Sequence, residues 1–143
     1  MTRIDFHSNV PDKIAYACRL VRKARARSSD MRIVLLAEPE QPLLALDRAL
    51  WTFSDIDFLP HVMADDPLAG QTPVLLTADD NAELQHHQIL INLSNTVPQF
   101  FARFERMFEL VSSDIADTAA GRQRYGHYKQ RGYPLTHFVA EQT

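Results

Sequence analysis

Apolar and polar positions alternate from Arg3 to His7, with Ile4 and Phe6 on one face, which predicts a short strand. Asn9 followed by Pro11 predicts a helix start. Ile14, Ala17, Cys18, Val21 and Ala24 then recur at steps of three and four, an amphipathic stripe that Ser28-Ser29-Asp30 breaks. The continuous apolar run Ile33 to Ala37 predicts a strand buried on both faces. Pro39 and Pro42 mark a turn before a second helix, Leu43 to Trp51. Phe58-Leu59 predicts a third short strand stopped by Pro60, and residues 64–72 predict a loop. Further strands are expected at Pro73 to Leu76 and at Ile89 to Leu93, with a polar loop at 78–87 between them. Val97, Phe101, Phe104, Phe108 and Val111 are spaced four, three, four and three, which predicts a helix opened by Pro98. A last helix is capped by Ser112-Ser113-Asp114 and runs to about Arg131, where Gly132 and Pro134 end it.

Strands alternating with helices predict an α/β domain with a largely parallel sheet. A chain of 143 residues fits a single domain, 1–143, with 136–143 expected as a flexible C-terminal tail. With 45% hydrophobic and 23% charged residues, disordered, fibrous and disulfide-scaffold classes are excluded. No apolar run approaches the roughly 18 residues of a membrane span. MTRIDFHSNV has no apolar signal core, so no signal peptide and a cytoplasmic location are expected. The one cysteine, Cys18, sits on the first helix's apolar stripe, where an inert buried thiol is expected.

Net charge is −3, against a dedicated nucleic-acid binder, but the charge is uneven. Arg19, Arg22, Lys23, Arg25, Arg27 and Arg32 oppose only Asp30 in one segment. Arg122, Arg124, Lys129 and Arg131 oppose no acid in another. Acids gather in the middle, at Asp55, Asp57, Asp65, Asp66, Asp79, Asp80 and Glu83. Local fields of this kind steer partners more than the total does.

Catalytic chemistry finds little support. The turn after the first strand, His7-Ser8-Asn9-Val10-Pro11, has no glycine, so it cannot cradle a phosphate on backbone N–H groups. His86-His87 and the scattered His61, His127 and His137 form no metal-ligand spacing and are expected as solvated loop residues. No GxSxG nucleophile turn occurs, and the carboxylate pairs Asp65-Asp66 and Asp79-Asp80 lie in polar loops. No catalytic residue, cofactor or metal is therefore expected. The segment Gly121 to Leu135 differs, because tyrosines are interleaved with arginines. On a helix, Arg122, Tyr125 and Lys129 share one face, and Arg124, Tyr128 and Arg131 lie roughly opposite. Arginine forks to carboxylates and tyrosine supplies apolar area, which suits an acidic peptide ending in an aromatic residue, or a nucleic-acid single strand.

The chain resembles the chi subunit family of bacterial DNA polymerase III. The resemblance is carried, in order, by Leu46-Asp-Arg-Ala-Leu-Trp51, Phe58-Leu-Pro-His61, Pro73-Val74 and Ile89-Leu-Ile-Asn-Leu93. It ends with Arg122-x-Arg-Tyr-x-x-Tyr-Lys-x-x-Gly-Tyr-x-Leu135. It implies a Rossmann-like three-layer fold without a nucleotide loop, and a non-enzymatic adaptor in DNA replication. The adaptor would join psi, which ties it to the clamp loader, to the acidic C-terminal tail of single-stranded DNA-binding protein, ending Ile-Pro-Phe. Single-stranded DNA is then reached indirectly, a helicase is a further candidate partner, and no membrane is involved. The resemblance transfers tail-site roles to Val111, Arg122 and Tyr125, with Arg124, Tyr128 and Lys129 beside them. Two basic positions of many relatives are Thr118 and Gly126 here. Psi-side roles transfer to Trp51, Phe58, Pro60 and His61. The competing reading is a direct single-stranded nucleic-acid-binding module using the two basic patches.

Overall fold

The computed structural model describes residues 1–52 and 60–140. Its strands are β1 (Arg3–Val10), β2 (Ile33–Leu36), β3 (His61–Met63), β4 (Val74–Thr77), β5 (Ile89–Asn92), β6 (Arg106–Ser112) and β7 (Leu135–Val139). They pair into one sheet in the order β3-β4-β2-β5-β6-β1-β7, every neighbour parallel. Helices α1 (Lys13–Arg27) and α2 (Gln41–Thr52) cover one face, and α3 (Ile115–Gln130) covers part of the other. This is a three-layer, Rossmann-like α/β domain. No helix among the described residues is long and apolar enough to cross a membrane.

The central strands have no polar face because both faces are covered. Ile33 and Leu35 of β2 pack under α1 and α2, while Val34 and Leu36 join the cluster beneath α3. Burying each such side chain contributes about 1.5–3 kcal/mol. Asp12, rather than Asn9 or Pro11, caps α1, its carboxylate accepting from the N–H groups of Ile14 and Ala15 at 3.1 Å. Cys18 is fully buried, and burial pushes its thiol up to about 11, so it stays protonated.

Two expectations change. The helix predicted over 97–111 is instead a 3₁₀ turn at Phe101–Arg103 followed by β6. The four-three spacing of aromatics was a coincidence of two segments. Phe100, Phe101 and Phe104 cap the sheet face beside Tyr128, whereas Phe108 and Val111 point to opposite faces of β6. Residues 136–139, assigned to a tail by the sequence pattern, are the body of the edge strand β7, paired to β1 from Ile4↔Leu135 to Ser8↔Val139. The predicted strand at Phe58-Leu59 lies outside the described residues, and the strand observed beyond Pro60 is His61–Met63.

His86 also departs from the sequence reading. It is fully buried, and its Nε2 lies 2.6 Å from the Thr72 carbonyl, tying the 78–87 loop to the segment that leads into β4. Burial lowers the pKa of both His86 and His7 below 6.5, so both imidazoles are neutral in the fold. A depressed histidine pKa gives stability that is complete above the unfolded value and lost as pH falls. Thermal melts should therefore show falling stability as pH drops below 6.5. A melting temperature flat or rising between neutrality and pH 5 would contradict this assignment.

Candidate functional site

Helix α3 carries the tyrosine-arginine segment and is held at both ends. Asp114 caps its start by accepting from the Asp117 N–H at 3.2 Å. Asp117 in turn accepts from the Ser112 N–H at 2.7 Å and from Lys13 Nζ at 3.2 Å. Burial would raise the Asp117 carboxyl, but these two partners outweigh it and hold its pKa low. At the other end Gly132 takes φ +78°. Its N–H reaches Lys129 O at 3.1 Å, and the Tyr133 N–H reaches Tyr128 O at 3.2 Å. That paired closure is the Schellman arrangement, which needs a left-handed residue at this position.

The helix lies close on the sheet at Gly121. A Cβ there would stand 2.7 Å from Val111 Cγ2, so only glycine permits this approach. Further along, the sheet-facing side is polar but buried. Glu109 of β6 is fully buried and accepts from Arg124 Nε at 3.1 Å, Tyr128 OH at 2.6 Å and Asn92 Nδ2 at 2.8 Å. Burial holds its carboxyl above the usual glutamate range, against the pull of Arg124, Tyr128 and Asn92. Arg124 and Tyr128 are 2% and 0% exposed. The sequence reading gave both to peptide binding; the structure assigns them to the anchor beneath the helix, since neither reaches the surface.

The remaining candidates converge. Val111, Arg122, Tyr125 and Lys129 line one groove of about 480 Å³ between α3 and the β6-β1-β7 edge, with Thr118 and Gly126 along the helix wall. Val111 is buried at its floor, and the Tyr125 ring packs edge-on against Phe6 with centroids 5.1 Å apart. Arg122 and Lys129 are exposed at its mouth. The opposite wall was missed from sequence: Ser8 of β1 and His137 of β7, joined through Ser8 Oγ and His137 Nε2 at 2.7 Å. An added side chain at Gly126 would meet nothing within 4 Å, so the groove is open there. An apolar floor with cations at the rim can take an apolar side chain and an adjacent carboxylate together. Among the described residues, no group of three or more His, Cys, Asp or Glu could hold a metal ion.

The psi-side candidates lie at the other end of the sheet. Trp51, in the last turn of α2, is half exposed, its indole packed on the His61 imidazole with centroids 4.3 Å apart. His61, at the start of edge strand β3, is buried and its Nε2 lies 3.1 Å from Asp47 Oδ1. Pro60 is half-buried beside them. Phe58 lies outside the described residues.

Comparison with known proteins places this architecture in a family. The family described as "DNA polymerase III chi subunit, HolC" matches residues 1–136. DNA polymerase III subunit chi of Pseudomonas aeruginosa is 33% identical over 139 residues, covering 94% of each chain. The subunits chi of Haemophilus influenzae and Escherichia coli are 28% and 27% identical, over 84% and 75% of this chain and 82% and 73% of their own lengths. The chain therefore belongs to the DNA polymerase III chi subunit family, accessory subunits of the replication machinery.

Proposed function

We propose that this chain is a non-catalytic adaptor that holds the acidic C-terminal tail of single-stranded DNA-binding protein in the α3 groove and docks psi at the Trp51-His61 corner. The observation that carries this reading is the groove itself. Its apolar floor of Val111, Phe6 and Tyr125 meets a rim bearing Arg122 and Lys129. A terminal phenylalanine ring fits the floor, its free carboxylate faces the Arg122 fork, and upstream aspartates meet the field of Lys129. The two candidate surfaces sit at opposite edges of the sheet, beside β7 and β3, so both partners can be engaged at once. Thr118 and Gly126 add no charge along the helix wall, so Arg122 and Lys129 supply the groove's fixed charge.

A peptide of alternating acidic character ending Ile-Pro-Phe, titrated into the whole chain, tests the reading. Binding should require the free C-terminal carboxylate and fall by roughly tenfold or more when it is amidated, since a hydrogen bond to a charged group is worth about 1.5–3 kcal/mol. Equal affinity for the free and amidated peptides would exclude a carboxylate fork at Arg122. Capture of psi by the wild-type chain while the peptide is bound would support simultaneous docking.

A further inference from the structure

The basic patch on α1 has no part in the peptide groove, yet it borders a second cleft on the opposite face of the sheet. Helix α1 joins β1 to β2 across two intervening strands, so it is drawn toward the sheet's centre and leaves the β1-β7 edge of that face open. The resulting cleft, about 350 Å³, has Lys23 and Arg27 on its helix side, one turn apart on the same face. Both are exposed, and among the described residues neither makes an ion pair.

On the sheet side a row of flat groups crosses three strands. The Arg106 guanidinium lies 4.7 Å from the Phe108 ring centroid, Phe108 is 5.5 Å from His7, and His7 is 5.2 Å from Phe138. The row ends in Phe138, which is 52% exposed. The one acid in the cleft, Asp5, is already engaged by Arg106 Nε at 2.9 Å and by the Thr136 hydroxyl, so it does not cancel the helix cations. His7 is held by Tyr16 through Nδ1, while its buried Nε2 has no partner among the described residues.

We propose that this cleft binds a nucleoside phosphate, with the base stacked on Phe138 and the phosphate held by Lys23 and Arg27. Unpaired cations facing an exposed aromatic ring are what a phosphate joined to a flat base requires, and side chains alone can supply them without a glycine loop. The volume suits one nucleotide unit. That unit can come from a free nucleotide or from a single strand, and both sources present the same chemistry. The site is separate from the peptide groove and stands whether or not that groove binds a peptide.

The test uses the whole isotope-labelled chain with three probes: thymidine monophosphate, inorganic phosphate and a short oligothymidylate. Thymidine monophosphate should shift the amide signals of Lys23, Arg27 and Phe138, and bind more tightly than phosphate alone. Lys23→Glu with Arg27→Glu should weaken nucleotide binding by roughly tenfold or more. For the oligonucleotide it should also reduce the log-log salt slope by about 1.4, the value for two phosphate contacts on a single strand. Phe138→Ala, at an exposed edge position, should weaken the nucleotide several-fold and leave inorganic phosphate unchanged. Arg122→Ala should change none of these. Tighter binding of the mononucleotide than of the oligonucleotide's units identifies the free source, and the reverse identifies a strand. The proposal is overturned if shifts fall on α3 instead, if phosphate binds as well as the nucleotide, or if the variants bind like wild type. It is equally overturned if no probe binds at millimolar concentration, or if the acidic peptide proves to be what fills this cleft.

Discussion

Replacing Glu109 with alanine is expected to lower the melting temperature by roughly 10–20 °C, the largest effect of any single change away from the hydrophobic core. The carboxylate is fully buried and is the only acceptor among the described residues for Arg124, whose Nη1 and Nη2 are buried without partners. Removing it strands a guanidinium in the interior, orphans the Tyr128 hydroxyl and leaves the Asn92 amide nitrogen with the Thr96 carbonyl, 3.1 Å away, in place of two acceptors. Breaking a buried ion pair from one side costs about 3–5 kcal/mol, which converts to the stated shift for a domain of this size. Glu109→Leu combined with Arg124→Met should recover much of the loss, because the desolvated charge is then gone from both sides. A double-mutant cycle on chemical denaturation measures this coupling. If Glu109→Ala stays within about 1 kcal/mol of wild type, the network is not an anchor and its burial needs another explanation.

Arg122→Ala should leave the fold intact and lower affinity for the acidic tail by roughly tenfold to a hundredfold. Its side chain is exposed, so truncation removes a ligand contact and little stability. Arg122→Lys should recover only part of the binding, since an ammonium keeps the charge but not the two-pronged geometry. Amidation of the peptide and loss of Arg122 should be far from additive, because each removes one half of the same contact. Lys129→Ala should matter less and mainly at low salt, as an exposed rim charge does. Additive effects of the two changes in a calorimetric titration would place the carboxylate elsewhere.

How much of this was legible in sequence depends on what each pattern had to encode. Ile33 to Leu36 and Ile89 to Asn92 are strands buried on both faces, and continuous apolar runs announce them. Asp114 and Gly132 are local signals whose chemistry fixes the two ends of α3, and both act where the pattern expected. Strand β6 was hidden because Glu109 interrupts its apolar run like a solvent-facing residue, and only the tertiary partners Arg124 and Tyr128 explain its burial. The same ignorance gave Arg124 to the surface. Helical periodicity places Arg122, Tyr125 and Lys129 on one face, and in the structure all three line one groove. Ser8 and His137 were missed because their adjacency arises from β1 pairing with β7, some 130 residues away, and no local spacing records it.

The sheet order bears on how the molecule is made. Strand β1 sits between β6 and β7, with Arg3 opposite Arg106 and Ile4 opposite Leu135. As the chain leaves the ribosome, β1 thus has no sheet neighbour until about a hundred further residues have followed it. At typical synthesis rates that is a wait of about 5–20 s. Strands β2, β4 and β5 can associate meanwhile, so the central strands would form before the edge that borders both clefts. An interrupted nascent chain would then display an orphan β-strand and neither cleft, which makes it a substrate for chaperones and not a competitor for the finished subunit's partners.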